Sequence, residues 1–341
     1  MKAFLSHSSR NKNLVEPVFR ELGAANCVYD AESFEEGKRS ADEILRGLSS
    51  TELFVLFVSK DALESSWIKS ELREAHAKYR SDRSRAFLAF ILDDILHSQL
   101  PKWLQEFTAR RIRKPRVIVR RIQSRLLELS VEAGHRIEIF INRSTELQNL
   151  KAALAKPPAE AASILVITGW PGVGRRTLAG KVLSEVYPHL PRIYPTVLLT
   201  ENSSIDDLYR NLIDAIDGAT PTEWVKLTDD YSKLSLSDKA ELIVRRLSAI
   251  HDDKEILFIL DEDCLLDHEG DYVLWFREIL SRLKPSVRPY AVVIQRRMIP
   301  YAKQLSYPKL KAVRLGSFSN LFLAWPNIAQ KNGFSIPVFS D

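Results

Sequence analysis

Apolar residues fall along this chain in short strand-length runs, each followed by a stretch with helical spacing. Ala3-Phe4-Leu5 opens the first run. Leu14, Val18, Phe19 and Leu22 then share one helical face, with Asn11 placed to cap that helix and Gly23 to end it. Cys27-Val28-Tyr29 predicts a second strand ending at Asp30, followed by a polar loop over 31–39 and a helix over 40–48. Leu53 to Val58 is continuously apolar, the mark of a strand buried on both faces. Trp67 and Glu71 lie four apart on the next helix and share a face of it. Arg85 to Leu92 predicts a further strand and Pro101 to Phe107 a short helix. Strands and helices alternating at this length predict a parallel sheet with helices on both faces. Ligands of such sheets sit at the carboxyl ends of the strands, where Ser6, Asp30, Ser59 and the start of the Glu71 helix fall.

The pattern then changes. From Arg110 to Arg125 there are eight basic residues and no acidic one. Val117, Ile118, Ile122, Leu126 and Leu129 recur there at helical spacing after Pro115. A basic helical connector over 111–134 is the reading preferred. A nucleic-acid surface at 110–125 is the weaker alternative, because no aromatic residues interleave as a stacking platform requires.

A second alternating unit is expected over 135–316. Ser144 or Thr145 caps a helix running to about residue 154, and Lys156-Pro157-Pro158 breaks it. Ile164 to Thr168 is an apolar strand that runs straight into Gly169-Trp170-Pro171-Gly172-Val173-Gly174-Arg175-Arg176-Thr177, with a helix beyond. Strand, glycine-rich loop and helix are the setting of a phosphate-binding loop, whose backbone amides curl around an anion at a helix N-terminus. Gly169, Gly172, Gly174, Arg175 and Thr177 are its candidate nucleotide contacts. Further on, Ile256 to Leu260 is an apolar strand ending in Asp261 and Glu262. Asp261, with Thr177, is the candidate for magnesium and Glu262 for polarising water at a nucleotide. Two departures stand out. Arg175 holds the position of the usual lysine, and Arg176 that of the magnesium-binding Ser or Thr. Residues 317–341 are expected to begin a helical lid or tail.

Composition adds little. Hydrophobic content of 45% and charged content of 27% suit two ordinary cores, and the net charge is +5. The two cysteines, Cys27 and Cys264, match no metal or redox spacing. No apolar run approaches the roughly 18 residues that span a membrane, and the N-terminal stretch turns polar too soon for a signal peptide. The expectation is a cytoplasmic protein without a membrane partner.

Phe4-Leu5-Ser6-His7-Ser8, Tyr29-Asp30, Glu36-Gly37, Phe57-Val58-Ser59 and Ser65-Ser66-Trp67-Ile68-Lys69-Ser70-Glu71 follow one another in an order that resembles a TIR domain over residues 1–110. The resemblance implies a flavodoxin-like fold. It further implies, for many members, hydrolysis of NAD+ at the nicotinamide–ribose bond, with Glu71 catalytic and Phe4, Ser6, Asp30, Phe34 and Trp67 around the NAD+ pocket. It also implies homo-oligomers through TIR domains. Other members are non-catalytic scaffolds that signal by assembly. The second unit resembles the nucleotide-binding core of STAND ATPases, the class containing NLR immune receptors. That resemblance rests on Phe140-Ile141-Asn142-Arg143, Glu146-Leu147, the glycine loop, Leu260-Asp261-Glu262 and Val313-Arg314-Leu315, with Asn142 standing where the family usually has Gly. It implies a P-loop NTPase-type α/β domain that binds ATP or ADP with magnesium and controls assembly in immune or anti-phage defence. A sensor is then expected in a partner or in a region outside these residues. An ATPase switch carrying the TIR domain only as an interaction module is the remaining alternative.

Overall fold

A computed structural model describes residues 1–29, 51–64, 86–95, 99–100, 102–105, 110–134, 143–157, 161–216, 219 and 221–316. The chain divides into two units. The first is built on Met1–Ile137 and the second on the residues from Glu138, with the short segments Pro191–Ile193 and Ile216–Gly218 grouped with the first.

In the first unit, β1 (Ala3–Ser6), β2 (Cys27–Tyr29), β3 (Leu53–Val58), β4 (Ala86–Ile91) and β5 (Arg110–Arg111) form one sheet in the order β2-β1-β3-β4-β5. Every pairing is parallel. This 2-1-3-4-5 order is that of the flavodoxin-like doubly wound sheet. The helices among the described residues are α1 (Lys12–Leu22), α2 (Lys60–Glu64), α3 (Lys102–Gln105) and α4 (Pro115–Glu132). The apolar run of β3 is split by the pleat. Leu53, Val55 and Phe57 join a core with Val15, Val18 and Leu22 of α1 and Val117, Ile118 and Ile122 of α4. Leu56 and Val58 face the other way, into a second cluster with Ile95, Leu100 and Leu104. A strand covered on both faces can therefore be apolar throughout.

The segment expected as a linker over 111–134 is part of this first unit. Arg110 and Arg111 pair with Phe90 and Ile91 as the edge strand. The apolar stripe of α4 closes the core beside α1. Part of the charge of this run is buried or paired as well. Arg120 and Arg121 are each 8% exposed. Arg111 and Arg113 pair with Asp94 at 3.2 and 3.0 Å. Arg125 meets Glu128 at 2.9 Å and Glu132 at 3.3 Å. The basic run thus reads as sheet edge and core helix, with Arg111 and Arg113 about half exposed.

In the second unit the chain runs α5 (Ser144–Leu154), β6 (Ile164–Thr168), α6 (Arg175–Val186), β7 (Thr196–Leu199), α7 (Ile205–Ile216), α8 (Pro221–Ser232), α9 (Leu236–Asp252), β8 (Leu257–Asp261), α10 (Leu274–Arg282), β9 (Ala291–Gln295), α11 (Tyr301–Gln304) and β10 (Leu310–Arg314). The sheet order is β10-β6-β9-β8-β7, again wholly parallel. The central strands β6 and β9 are buried at every position, while the edge strand β7 alternates. Leu178, Ala179, Val182 and Leu183 of α6 pack with Leu150 and Leu154 of α5 on Leu165, Ile167, Val292 and Ile294 of the sheet. At the carboxyl edge, strand register places Thr168 beside Gln295, Gln295 beside Asp261, and Asp261 beside Leu199. That row is the floor on which the glycine loop sits.

Candidate functional site

At the carboxyl edge of the first sheet, β1 ends at Ser6 and is followed by the buried His7. Ser59, 1% exposed, follows β3 and its Oγ accepts from the Ala62 N–H at 3.1 Å, capping α2. Phe4, expected near a ligand, is 4% exposed and its ring stacks on Phe54 at 5.8 Å, as Phe54 does on Phe87 at 5.6 Å. Its side chain is thus engaged within the sheet, while Ser6 stands at the strand end. Asp30, Phe34, Trp67 and Glu71 lie outside the described residues.

The second unit brings its predicted residues together. Gly172, Gly174, Arg175, Thr177, Asp261 and Glu262 all line one cavity of about 650 Å³, joined by Arg176 and Arg296. The local backbone explains the loop. Gly172 and Gly174 have φ of 84° and 85°, in the left-handed region that a Cβ disfavours. Gly174 immediately precedes α6. The first turn of α6 therefore offers N–H groups with no acceptor inside the helix, together with the positive end of its dipole. Gly169 has a different duty. Its φ is 148°, and a Cβ there would stand 2.7 Å from the Leu315 carbonyl oxygen. It does not line the cavity but lets the loop cross the segment after β10, whose Leu315 N–H donates to the Thr168 carbonyl at 2.8 Å.

Arg143 braces the loop from behind. It is 7% exposed; its Nη2 donates to the Gly316 carbonyl at 2.8 Å and the Val173 carbonyl at 3.4 Å, and its Nη1 meets Glu146 at 2.9 Å. The residues alone give no reason to assign Arg143 this role, since Gly316 is 173 positions away.

Charge in the cavity is arranged in opposed sets. Arg175 is drawn below the ordinary arginine range by burial and then by Arg296, against the pull of Asp263. Its Nη1 is enclosed and has no hydrogen-bond partner among the described residues. Arg296 forms an ion pair with Asp263, which holds it above the ordinary range. Asp263 sits at a φ of 67°, and its second oxygen, Oδ1, is buried without a hydrogen-bond partner among the described residues. Sequence reasoning misses Asp263; its signal is the unbroken acidic run Asp261-Glu262-Asp263. Asp261 is 5% exposed, and its Oδ1 accepts from the N–H groups of Cys264 and Leu265 at 2.9 and 3.1 Å. Burial pushes its carboxyl up to about 6, partly opposed by those two N–H groups.

This donor set suits magnesium poorly. One oxygen of Asp261 is spent on the turn after β8. The second residue of α6 is Arg176, which has no lone pair to give a metal. Phosphate oxygens fit better, facing three guanidinium groups and a helix N-terminus.

No curated protein matches the chain. Two solved structures of a metazoan TIR-STING receptor from C. gigas are loosely similar. The first has a TM-score of 0.29 at 14% identity, over 49% of this chain and 56% of that one. The second, in complex with 2',3'-cGAMP, has a TM-score of 0.28 at 14% identity, over 50% and 56%. The chain thus spans little more than half the length of either, and similarity at that level carries no functional weight. The family model described as TIR domain matches residues 3–125, from β1 into α4. Residues 3–125 of this chain are a TIR domain.

Proposed function

We propose that the chain cleaves NAD+ between nicotinamide and ribose through Glu71 of its TIR domain, and that a nucleotide held in the second unit controls this activity in immune or anti-phage signalling. The observation that carries the reading is the TIR match over 3–125 with a glutamate at the end of Ser65-x-Trp67-x-x-x-Glu71. Breaking this bond leaves positive charge on the ribose, as in glycoside hydrolysis. The bonding pair departs with nicotinamide, which leaves neutral and needs no acid. Water then adds to the ribose and releases a proton. A single carboxylate beside the ribose suffices to stabilise the cation, which accounts for one acid where glycosidases use two. Ser6 and Asp30 at neighbouring strand ends, with Phe34 and Trp67, are proposed to bound the pocket. Self-association through TIR domains is proposed to complete it.

The nucleotide part rests on the cavity of the second unit, where the glycine loop, the end of β8 and Arg296 converge. Among the described residues no helix is long and apolar enough to cross a membrane. The test is nicotinamide release from NAD+ by the full chain at high protein concentration. Turnover is expected in the wild type and loss of at least about a hundredfold in Glu71→Ala, of the order seen when a main catalytic group is removed. Equal rates in the two proteins would sink the mechanism. Assembly without any turnover would instead support the scaffold reading.

A further inference from the structure

We propose that the cavity over the glycine loop takes a nucleoside di- or triphosphate as the free anion, with guanidinium groups in the place of magnesium. The inference deepens the nucleotide reading above and rests on it.

In a phosphate loop, magnesium is held by the hydroxyl on the second residue of the helix and, from the neighbouring strand end, by an aspartate. The first position is altered here and the second is constrained. The second residue of α6 is the exposed Arg176, a fixed cation with five donors and no acceptor. It cannot bind a metal, and it places positive charge beside where the ion would stand. Thr177 does line the cavity. One helical residue turns it by about 100° and lifts it by about 1.5 Å along the axis, so its hydroxyl does not replace the missing one. Asp261 is nearly enclosed, and its Oδ1 already accepts two backbone N–H groups. That leaves Oδ2 as the one oxygen it could turn to a hydrated ion without opening the turn at Cys264 and Leu265.

What the cavity offers instead is charge that needs no metal. Arg175, Arg176 and Arg296 all line it. Arg175 carries a nitrogen that is enclosed and has no hydrogen-bond partner among the described residues. An enclosed, unpaired guanidinium nitrogen is costly, and a turn of the side chain toward the cavity would give it a phosphate oxygen, since guanidinium and phosphate meet in charge-assisted pairs. Arg296 supplies a second cation from across the cavity, once its ion pair with Asp263 opens. The three arginines together match the charge that magnesium and lysine share in an ordinary loop.

The experiment is equilibrium binding of ATP and of ADP to the full chain, once in EDTA and once in millimolar magnesium. ADP affinity is expected to agree within about threefold between the two conditions, and ATP to bind equally or more tightly in EDTA, where it carries more charge. Arg176→Ala is expected to weaken both ligands about tenfold in EDTA, as loss of one charge-assisted contact does. Arg176 is exposed, so this variant should fold. Binding that magnesium tightens tenfold or more would overturn the proposal and leave the nucleotide reading standing. Wild-type protein that binds neither ligand in either condition would overturn both. An Arg176→Ala protein that binds as the wild type does would remove the role given to that guanidinium and, with it, the proposal.

Discussion

Gly169 and Gly172 lie in one loop, yet substituting them should give very different results. Replacing Gly169 by alanine introduces two costs. Its φ of 148° lies where side chains rarely go, a strain of about 1–3 kcal/mol. The new Cβ would also stand 2.7 Å from the Leu315 carbonyl oxygen and 3.2 Å from Val173 Cγ2. The first contact is backbone, fixed because Leu315 bonds to Thr168 at the end of the buried β6. Overpacking of this kind adds about 1–3 kcal/mol, so the sum is about 4 kcal/mol. Gly172 has a φ of 84° and nothing within 4 Å of its would-be Cβ. Its cost is the left-handed strain alone, about 1–2 kcal/mol.

Amide hydrogen exchange separates the two, because slow amides in β6 and β9 report opening of the second unit without interference from the first. At about 1.4 kcal/mol per factor of ten, Gly169→Ala should lower protection of Val166, Ile167 and Val293 by roughly a thousandfold. Gly172→Ala should lower it by about tenfold. Protection in the two variants agreeing within about threefold would refute the close approach at Leu315 as the reason for Gly169.

Two further substitutions test other parts of the description. Ile122 is fully buried in α4, so Ile122→Ala should cost the first unit about 3 kcal/mol in denaturant unfolding; a cost under about 0.5 kcal/mol would mean that α4 is the detached connector its charge suggests. Asp261 tests the electrostatics of the cavity. Its carboxyl is raised from 3.8 to about 6, chiefly by burial. A raised acid favours the fold in its neutral form, so its contribution is complete below about pH 4 and is lost as pH rises through about 6. Wild-type stability should fall by up to about 3 kcal/mol across that window, at about 1.4 kcal/mol for each pH unit the window spans. Asp261→Asn keeps an oxygen for the Cys264 and Leu265 N–H groups and should flatten that stretch. A stability–pH profile with the same slope in both proteins would refute the burial assigned to Asp261.

The elements legible in the sequence are those whose signal is local. The apolar runs of β1, β3, β6, β8 and β9 are each readable because strands covered on both faces need no polar alternation, and the residues at their carboxyl ends follow from strand direction. The segment 111–134 reads as a connector, and wrongly so, for a reason that is equally physical. Its acidic partners Asp94, Glu128 and Glu132 lie outside the basic run, and Arg120 and Arg121 are carried into a buried surface. Long arginine side chains cover apolar surface with their stems, so a run of charge imitates a solvated face. Arg143 is opaque because its acceptor, the Gly316 carbonyl, is remote in sequence.

The glycine loop separates what the fold demands from what a ligand demands. Gly169 is fixed by the approach of Leu315, and Gly172 and Gly174 by backbone angles; all three would be required with nothing in the cavity. Arg175, Arg176 and Arg296 are different. Apart from the Arg296–Asp263 ion pair, folding gains little from setting guanidinium groups around one cavity. Burial and Arg296 both lower the pKa of Arg175, which is to say that both oppose its charge. Asp263 relieves part of this through its ion pair with Arg296, yet the enclosed nitrogen of Arg175 still lacks an acceptor. A loop kept only for its shape would be more stable with an uncharged residue at position 175. The unsatisfied positive charge is therefore better explained by an anion that enters the cavity than by the fold.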